Sequence, residues 1–479
     1  MAALDEWINE EARHAADAML RAFSATHLVK DRPGFGQRII PRPGSVLASP
    51  VLAAYDPDPD YFFHGFRDSA IVADALRVAL AEGVVNGAAV RRLREFVEFS
   101  RSLRALDGRE FLRHNNFRAK IQPSFLQYVR PDAEIAAASG EAVLAEARVN
   151  PDGTLDFTRW ARPQTDGPAL RVLALTRWRD ALPDLDEALR AAMQDLVVGD
   201  LDFALAQANN PSFDIWEEES GYHYYTQLVQ AEALARGGAW LAETAETARA
   251  GACRSVADEI ASRLDAYWDG AAGHYRSRTG VAGAAPGKAL DIAVILAVLH
   301  AGRARGPHSV LDPRAQATLT ALEELFETEY AINHQRPSGR GPAMGRYAND
   351  AYYSGGAWYL ATLAAAEFYF KLAIAALSVA PIAATDDNAR FRQRVSAVGS
   401  PTPVEAAIQR GDAIMRTVQA FTPASGELSE QFDRTTGAQT SAKHLAWSYA
   451  AFITAAASRR QAYRAMRGSG PPATPAGAG

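Results

Sequence analysis

Residues 345–379 read GRYANDAYYSGGAWYLATLAAAEFYFKLAIAALSV, and they divide into two unlike halves. The first half is a chemically rich loop, with Arg346, Tyr347, Asp350, Tyr352 and Tyr353 among glycines that let backbone approach closely. The second half has helical spacing, and the pattern predicts a helix over 353–379. Trp358, Leu360, Leu363, Phe368 and Phe370 make it apolar nearly all round, which means burial on every side. Segment 441–466, with Leu445, Trp447, Tyr449, Phe452 and Ile453, has the same character. Segments 4–24, 84–105 and 311–332 differ, because each carries a charged face (Arg92, Arg94 and Glu95; Glu323, Glu324 and Glu327) that suits an outer layer.

Working outward, apolar spacing and helix breakers give about twelve helical segments. The others lie near 67–82, 166–180, 182–208, 220–237, 251–270, 288–300 and 401–420. Strand signals are sparse; 144–157 reads as a short hairpin around Pro151-Asp152-Gly153. The unusual motifs fall almost entirely before even-numbered helices: Arg67-Asp68, WARPQTDGPALR at 160–171, Trp216 to Gly221, Arg346 to Tyr353, and Glu430. The remaining even-numbered helix, 288–300, has only Lys288 and Asp291 near its start, and its loop is less telling. Alternating outer and inner helices would bring these loops to one end of a helical toroid. The expected fold is therefore all-α, an (α/α)₆ barrel with a pocket at that end. Segment 29–50, rich in proline and glycine, is expected to be a long loop at the pocket rim.

The 479 residues are 48% hydrophobic, enough for a large core. Residues 1–466 are expected to form the barrel, and the Pro/Gly/Ala-rich 467–479 a disordered tail. Net charge is −6 with both signs interspersed, so no nucleic-acid partner and no anionic membrane surface is expected. The apolar runs at 292–299 and 452–457 are too short to span a bilayer. The N-terminus lacks a basic segment followed by an apolar one, and the expected location is cytoplasmic. Cys253 is the only cysteine, which excludes an intrachain disulfide. The ten histidines form no HExxH and no tight pair, and neither G-x-x-x-x-G-K-[ST] nor G-x-S-x-G occurs. No metal and no cofactor is expected, and the chain is expected to be a monomer.

Two acidic clusters carry the chemistry: Asp214 to Glu219 (DIWEEE) and Ser429 to Asp433 (SEQFD). Cleaving an acetal between sugars needs one carboxylic acid for the leaving oxygen and a second carboxylate for water or the anomeric carbon. Trp216 beside the glutamates offers a sugar platform and can raise an acid's pKa by excluding water. A Glu run is equally the ordinary acidic start of a helix. Spacing does not single out one of the three glutamates. Arg67-Asp68 behind Tyr61-Phe62-Phe63-His64 suits sugar hydroxyls, and suits a helix cap with an ion pair as well. Asp166 reads as the cap of the helix entered through Pro168, and Trp160 and Trp358 are as consistent with core as with a pocket. His64, His223 and His444 read as polar core or rim residues.

Taken together, YFFHGFRDS (61–69), WARPQTDGPALR (160–171), SFDIWEEESG (212–221), GRYANDAYYSGGAWYL (345–360) and LSEQFDRTTGAQTSAKHLAWSYAA (428–451) resemble the glucoamylases of glycoside hydrolase family 15, above all the fungal-type catalytic domain. The resemblance runs from about Leu4 to about Ala456. It implies an (α/α)₆ barrel, Glu217 as general acid and Glu430 as general base. It implies that Tyr61 and Gln431 hold the nucleophilic water, and that Arg67, Asp68, Asp214 and Arg346 bind the terminal glucose. Trp160, Arg162 and Glu218 would shape binding around the cleavage point, and Tyr352 and Trp358 would be aromatic pocket residues. The chain departs from the fungal pattern at Gly65, where that pattern has tryptophan, and the long 29–50 loop is a candidate to fill the gap. The implied activity is an inverting exo-acting α-glucosidase on α-1,4-linked gluco-oligosaccharides, with Glu217 kept protonated by a partly apolar setting. An α-1,6-preferring or trehalose-cleaving enzyme is the alternative within the family, and a non-catalytic glycan-binding toroid the alternative outside it.

Overall fold

The computed structural model describes residues 2–54, 57–244, 246–281, 283 and 285–468. Twelve long helices dominate. They are α1 (Ala2–Ala22), α2 (Phe66–Ala81), α3 (Ala88–Ser102), α4 (Asp166–Ala181), α5 (Glu187–Gln207), α6 (Tyr224–Ala242), α7 (Thr247–Leu264), α8 (Ala293–Ala301), α9 (Pro313–Glu329), α10 (Tyr359–Ser378), α11 (Pro403–Phe421) and α12 (Ala446–Gly468). The even-numbered helices form a closed inner ring: α2 packs on α4, and so in turn through α6, α8 and α10 to α12, which returns to α2. Each odd-numbered helix covers an inner one, with α1 on α12, α3 on α2, α5 on α4, α7 on α6, α9 on α8 and α11 on α10. The all-α double barrel read from the sequence is the observed fold.

Sequence explains which helix lies where. Among the inner helices, α10 is buried almost without interruption from Tyr359 to Ala375. It is long and apolar enough to cross a membrane, with mean hydropathy 1.6, yet 78% of that stretch is buried within the barrel. Among the outer helices, α3 and α11 keep a polar face in water and bury the other. Three outer helices begin on side-chain caps, Asp186 for α5, Asp312 with Pro313 for α9, and Thr402 with Pro403 for α11, whereas α3 and α7 have none. Inner helices α2, α4, α6, α8 and α10 have no such cap. Their first turns run straight out of the functional loops. One hydrophobic core, from Leu4 to Ala462, joins the two layers.

Inner helices α6 and α10 start later than their apolar spacing suggests, because short strands occupy the preceding residues, and a short strand also leads into α2. Ser220–His223 precedes α6 and pairs with Ser212–Phe213 on one side and Arg278–Thr279 on the other. Ala357–Trp358 precedes α10 and pairs with Gln431–Phe432, which pairs in turn with Gln439–Thr440. His64–Gly65 precedes α2 and pairs with Arg148–Val149. The expected 144–157 hairpin is reduced to these two residues and a single bridge from Val149 to Leu155. Among the described residues, the short helices Gly108–His114, Asp132–Ala137 and Ala389–Ser396 fall outside the expected segments, and the end of the expected 311–332 helix breaks off as a separate short helix, Ala331–His334. The 29–50 segment is not a bare loop, since Lys30–Arg32 and Gln37–Ile39 form an antiparallel hairpin. Arg467 and Gly468 end α12, and the rest of the expected disordered tail, 469–479, lies outside the described residues.

Candidate active site

The loops entering the inner helices enclose a pocket of about 330 Å³ at one end of the barrel. Eleven of the fourteen residues singled out in the sequence line it: Tyr61, Arg67, Asp68, Trp160, Trp216, Glu217, Glu218, Arg346, Tyr352, Trp358 and Glu430. Gln431, Arg162 and Asp214 do not reach it. The two-residue strands explain how distant segments meet. Trp358 pairs with Gln431 across one of them, which seats Glu430 beside the start of α10, and the Tyr359 amide donates to the Glu430 carbonyl at 3.3 Å.

Glu217 ends a turn in which its amide donates to the Asp214 carbonyl at 3.0 Å. Its φ of +66° is a left-handed conformation that costs a non-glycine residue free energy and persists only where surroundings enforce it. Asp214 supplies that enforcement, because Oδ1 accepts the amides of Glu218 (2.7 Å) and Glu219 (3.0 Å) and Oδ2 meets Lys288 Nζ at 2.7 Å. Around the carboxyl of Glu217 the setting is polar. Trp160 Nε1 donates to Oε2 (2.5 Å), Gln164 Nε2 donates to Oε1 (3.0 Å), and Arg67 Nη2 stands 3.4 Å from Oε1. The partly apolar surrounding expected from the sequence is therefore not found; the loop 160–164 closes over the carboxyl with its N–H groups rather than its hydrocarbon.

Glu430 has the opposite setting. It is buried, and its Oε2 accepts from Ser441, a residue at φ +63°. Burial pushes its carboxyl up to about 7, against the lowering by the Ser441 hydroxyl and the Arg346 charge. Tyr61 and Tyr352 share a hydrogen bond at 2.6 Å, and both phenols lie near enough to Glu430 for its charge to raise them further beyond what burial does.

The remaining walls are polar on one side and aromatic on the other. Arg67 is buried and pairs with Asp166 at 2.9 Å; Asp166 is the first residue of α4 and its side chain serves this ion pair, not the helix cap read from the sequence. Burial lifts Asp68 to about 6, with the Arg67 charge opposing. Arg346 is gripped by Asp350 (2.5 and 2.7 Å) and pairs with Glu218 at 2.9 Å. Glu218 also accepts from Tyr347 (2.6 Å) and meets Lys288 (2.5 Å). Trp216 lies 5.3 Å from Trp358, and its indole N–H donates to Asp291. Lys288 and Asp291, from the loop that looked least informative, thus anchor the acidic cluster from beneath. Gly65 faces Arg148, whose guanidinium stacks between Phe63 (3.8 Å) and Trp160 (3.5 Å). Arg148, not the 29–50 segment, forms the wall beside Gly65; from that segment only Ala48 reaches the pocket.

The three absent residues act as supports. Gln431 is buried, with its amide bonded to Ser354, Gly356 and the Tyr352 carbonyl, so it fixes the 352–356 loop. Arg162 is held by Glu146 (2.5 Å) and Asp156 (3.0 Å) below the Trp160 loop. Sequence reasoning passed over Gln164, Ser441, Lys288 and Arg148 as partners of the site. Gln164 and Ser441 stood inside quoted motifs, whereas Arg148 carried no pattern that would have marked it. Among the described residues, no group of three or more His, Cys, Asp or Glu side chains is arranged to hold a metal ion.

The family model described as Glycosyl hydrolases family 15 matches residues 112–457. Glucoamylase-1 of Arthroderma benhamiae is 30% identical over 445 residues, which cover 89% of this chain and 66% of that protein. Glucoamylase 1 of Rhizopus oryzae is 29% identical over 332 residues, 65% of this chain and 55% of that one. The chain thus spans two thirds or less of the length of these relatives. Among solved structures, the family 15 glucoamylase from Hypocrea jecorina superposes with a TM-score of 0.77 at 26% identity, covering 95% of this chain and 72% of that one.

Proposed function

Because the chain belongs to family 15 of the glycosyl hydrolases, we propose that it is an inverting, exo-acting α-glucosidase that releases β-glucose from the non-reducing ends of α-1,4-linked gluco-oligosaccharides. The observation that carries this reading is the pairing of two carboxyl groups with unlike settings, Glu217 and Glu430, in one pocket. Glu217 has 27% of its side chain exposed, so solvent can reload it with a proton after each turnover. Trp160 and Gln164 fix its plane, and Oε2, which accepts from Trp160 alone, keeps a lone-pair direction for the acidic hydrogen. It donates that proton to the glycosidic oxygen. Glu430, poised at about 7, is half ionised at neutral pH and strong enough as a base to take a proton from water on the opposite ring face. Tyr61 and Tyr352, bonded to each other beside Glu430, steer that water. Arg67, Asp68 and Arg346 bind hydroxyls of the terminal sugar, and Trp216 and Trp358 cover its apolar face.

Inversion requires room for the water, and the carboxyl groups should lie roughly 6.5–9.5 Å apart. A proton NMR time course on mixed maltotriose and isomaltotriose tests the proposal: early β-glucose, with maltotriose consumed first, is the expected outcome. Early α-glucose would reject inversion. Binding of either sugar without any glucose would point to a non-catalytic toroid. An α-1,6 preference is the second reading, and the wall at Gly65 favours it. With no side chain there and Arg148 opposite, the rim accepts a linkage that leaves at a different angle.

A further inference from the structure

Glu430 ends a short run, 428–430, that is bonded along its length to residues 442–449. The Glu430 amide donates to the Ala442 carbonyl (2.7 Å), and the Leu445 amide donates to the Leu428 carbonyl (3.2 Å). Ser448 Oγ donates to the Ser429 carbonyl (2.9 Å), and the Leu428 amide donates to the Tyr449 hydroxyl oxygen (3.1 Å). Leu445 and Trp447 of the same stretch close the base of the pocket. Just before them, Ser441 (φ +63°) and His444 (φ +49°) are both left-handed, a conformation that persists in such residues only where surroundings enforce it. Ser441 bonds Glu430 directly. His444 is not among the residues lining the pocket and has no part in the steps above.

His444 Nδ1 stands 2.7 Å from the Tyr449 hydroxyl, and Nε2 stands 3.7 Å from Glu427 Oε1. The Glu427 carboxylate draws the ring hydrogen to Nε2. Nδ1 is then an acceptor for the Tyr449 O–H, and the phenol oxygen is left to receive the Leu428 amide. Protonating the imidazole would set Nδ1–H and O–H against each other across this contact. The phenol hydrogen would have to swing away inside a buried site. The surroundings keep the imidazole neutral: burial lowers its pKa, Glu427 opposes, and Arg21 of α1 lowers it further. From α1, His14 also faces His444, with its ring 6.2 Å from that of Tyr449. Glu11, whose own carboxyl burial pushes up to about 8, faces the Tyr449 hydroxyl from the same helix.

We propose that His444 is a positioning residue for Glu430: in its neutral form it orients the Tyr449 hydroxyl, which pins the Leu428 amide and with it the backbone that presents Glu430. The inference rests on Glu430 being the general base proposed above. It adds a second proton to the acid side of the pH profile. Glu430 must be ionised to take a proton from water, and His444 must be neutral to keep Glu430 in place.

Kinetics on maltose from pH 4 to 8, with hydrogen–deuterium exchange of peptides spanning 422–432, tests it. His444→Gly removes the imidazole without straining the left-handed backbone, and Tyr449→Phe removes the hydroxyl alone. Each should lower kcat at least tenfold with KM within twofold, and exchange in those peptides should quicken at least fivefold. His444→Asn keeps an acceptor at the Nδ1 position, tolerates the left-handed backbone and cannot take up a proton. It should hold kcat at pH 7 within threefold of the parent, and its acid limb should fall with one proton where the parent's approaches two. Should His444→Gly fail to fold, Tyr449→Phe and His444→Asn carry the test. Unchanged kcat in His444→Gly and Tyr449→Phe, a loss in KM instead, His444→Asn as impaired as His444→Gly, or a one-proton limb in the parent would each overturn the assignment. A parent that releases no glucose would sink the proposed reaction instead, and exchange alone would then decide: quickened exchange keeps His444 as the anchor of this loop, and unaltered exchange removes it.

Discussion

On the proposed activity, Glu430 serves chemistry at the expense of stability. Its carboxyl titrates at about 7 in the folded chain against 4.5 as a free side chain. Between those values the folded state holds more proton than the unfolded one, so stability falls as pH rises through this window. At 1.36 kcal/mol per unit, keeping Glu430 ionised above pH 7 costs about 3 kcal/mol. Glu430→Gln should therefore raise Tm more at pH 8 than at pH 4, while kcat on maltose drops at least a thousandfold; an equal Tm gain at both pH values would contradict the assignment. Glu217→Gln should lose activity comparably with circular dichroism unchanged. Ser441 lowers the Glu430 pKa, so Ser441→Ala should move the acid limb of the kcat/KM profile to higher pH, and an unmoved limb would remove Ser441 from the site.

At the level of elements, twelve long helices were legible because their apolar periodicity is a local property. The two-residue strands were not, since two residues cannot display an alternating pattern and their partners lie far off in sequence. The same limit divides the site. Glu217, Glu430 and the aromatic walls stood out by motif. That Gln431 and Arg162 turn away from the pocket, and that Ser441 turns toward it, depends on strand pairings and loop anchors that only the folded chain supplies. Lys288, in the short turn before α8, sits between Asp214 and Glu218. Removing it strands the buried Asp214 without its counter-charge, a loss of about 3–5 kcal/mol. Lys288→Met should lower Tm by several degrees and reduce kcat/KM for maltose at least tenfold by loosening the Glu217 turn. A variant as stable and active as the parent would show that the cluster is held elsewhere.

Over the whole molecule, closure of the outer layer depends on α1, whose Trp7 packs edge-on against Phe452 of α12 at 5.4 Å. Arg459 reinforces this seam by joining Asp5 of α1 (2.7 Å) to Asp412 of α11 (2.6 Å). Trp7→Ala should cost about 2 kcal/mol, less than a fully buried tryptophan because the ring is half exposed. The check is calorimetry: Tm should fall while activity at 25 °C stays within twofold, because this seam lies away from the pocket. The seam was not legible, since it arises from ring closure and not from any stretch of sequence. Trp447 at the base of the pocket has a kinetic meaning as well. A blind-ended site cannot thread its polymer forward. On the proposed activity the shortened chain must back out before the freed sugar can leave, and the next encounter is with any chain in solution. Partial digests should therefore hold molecules all trimmed to a similar extent, in place of a mixture of untouched and fully consumed ones.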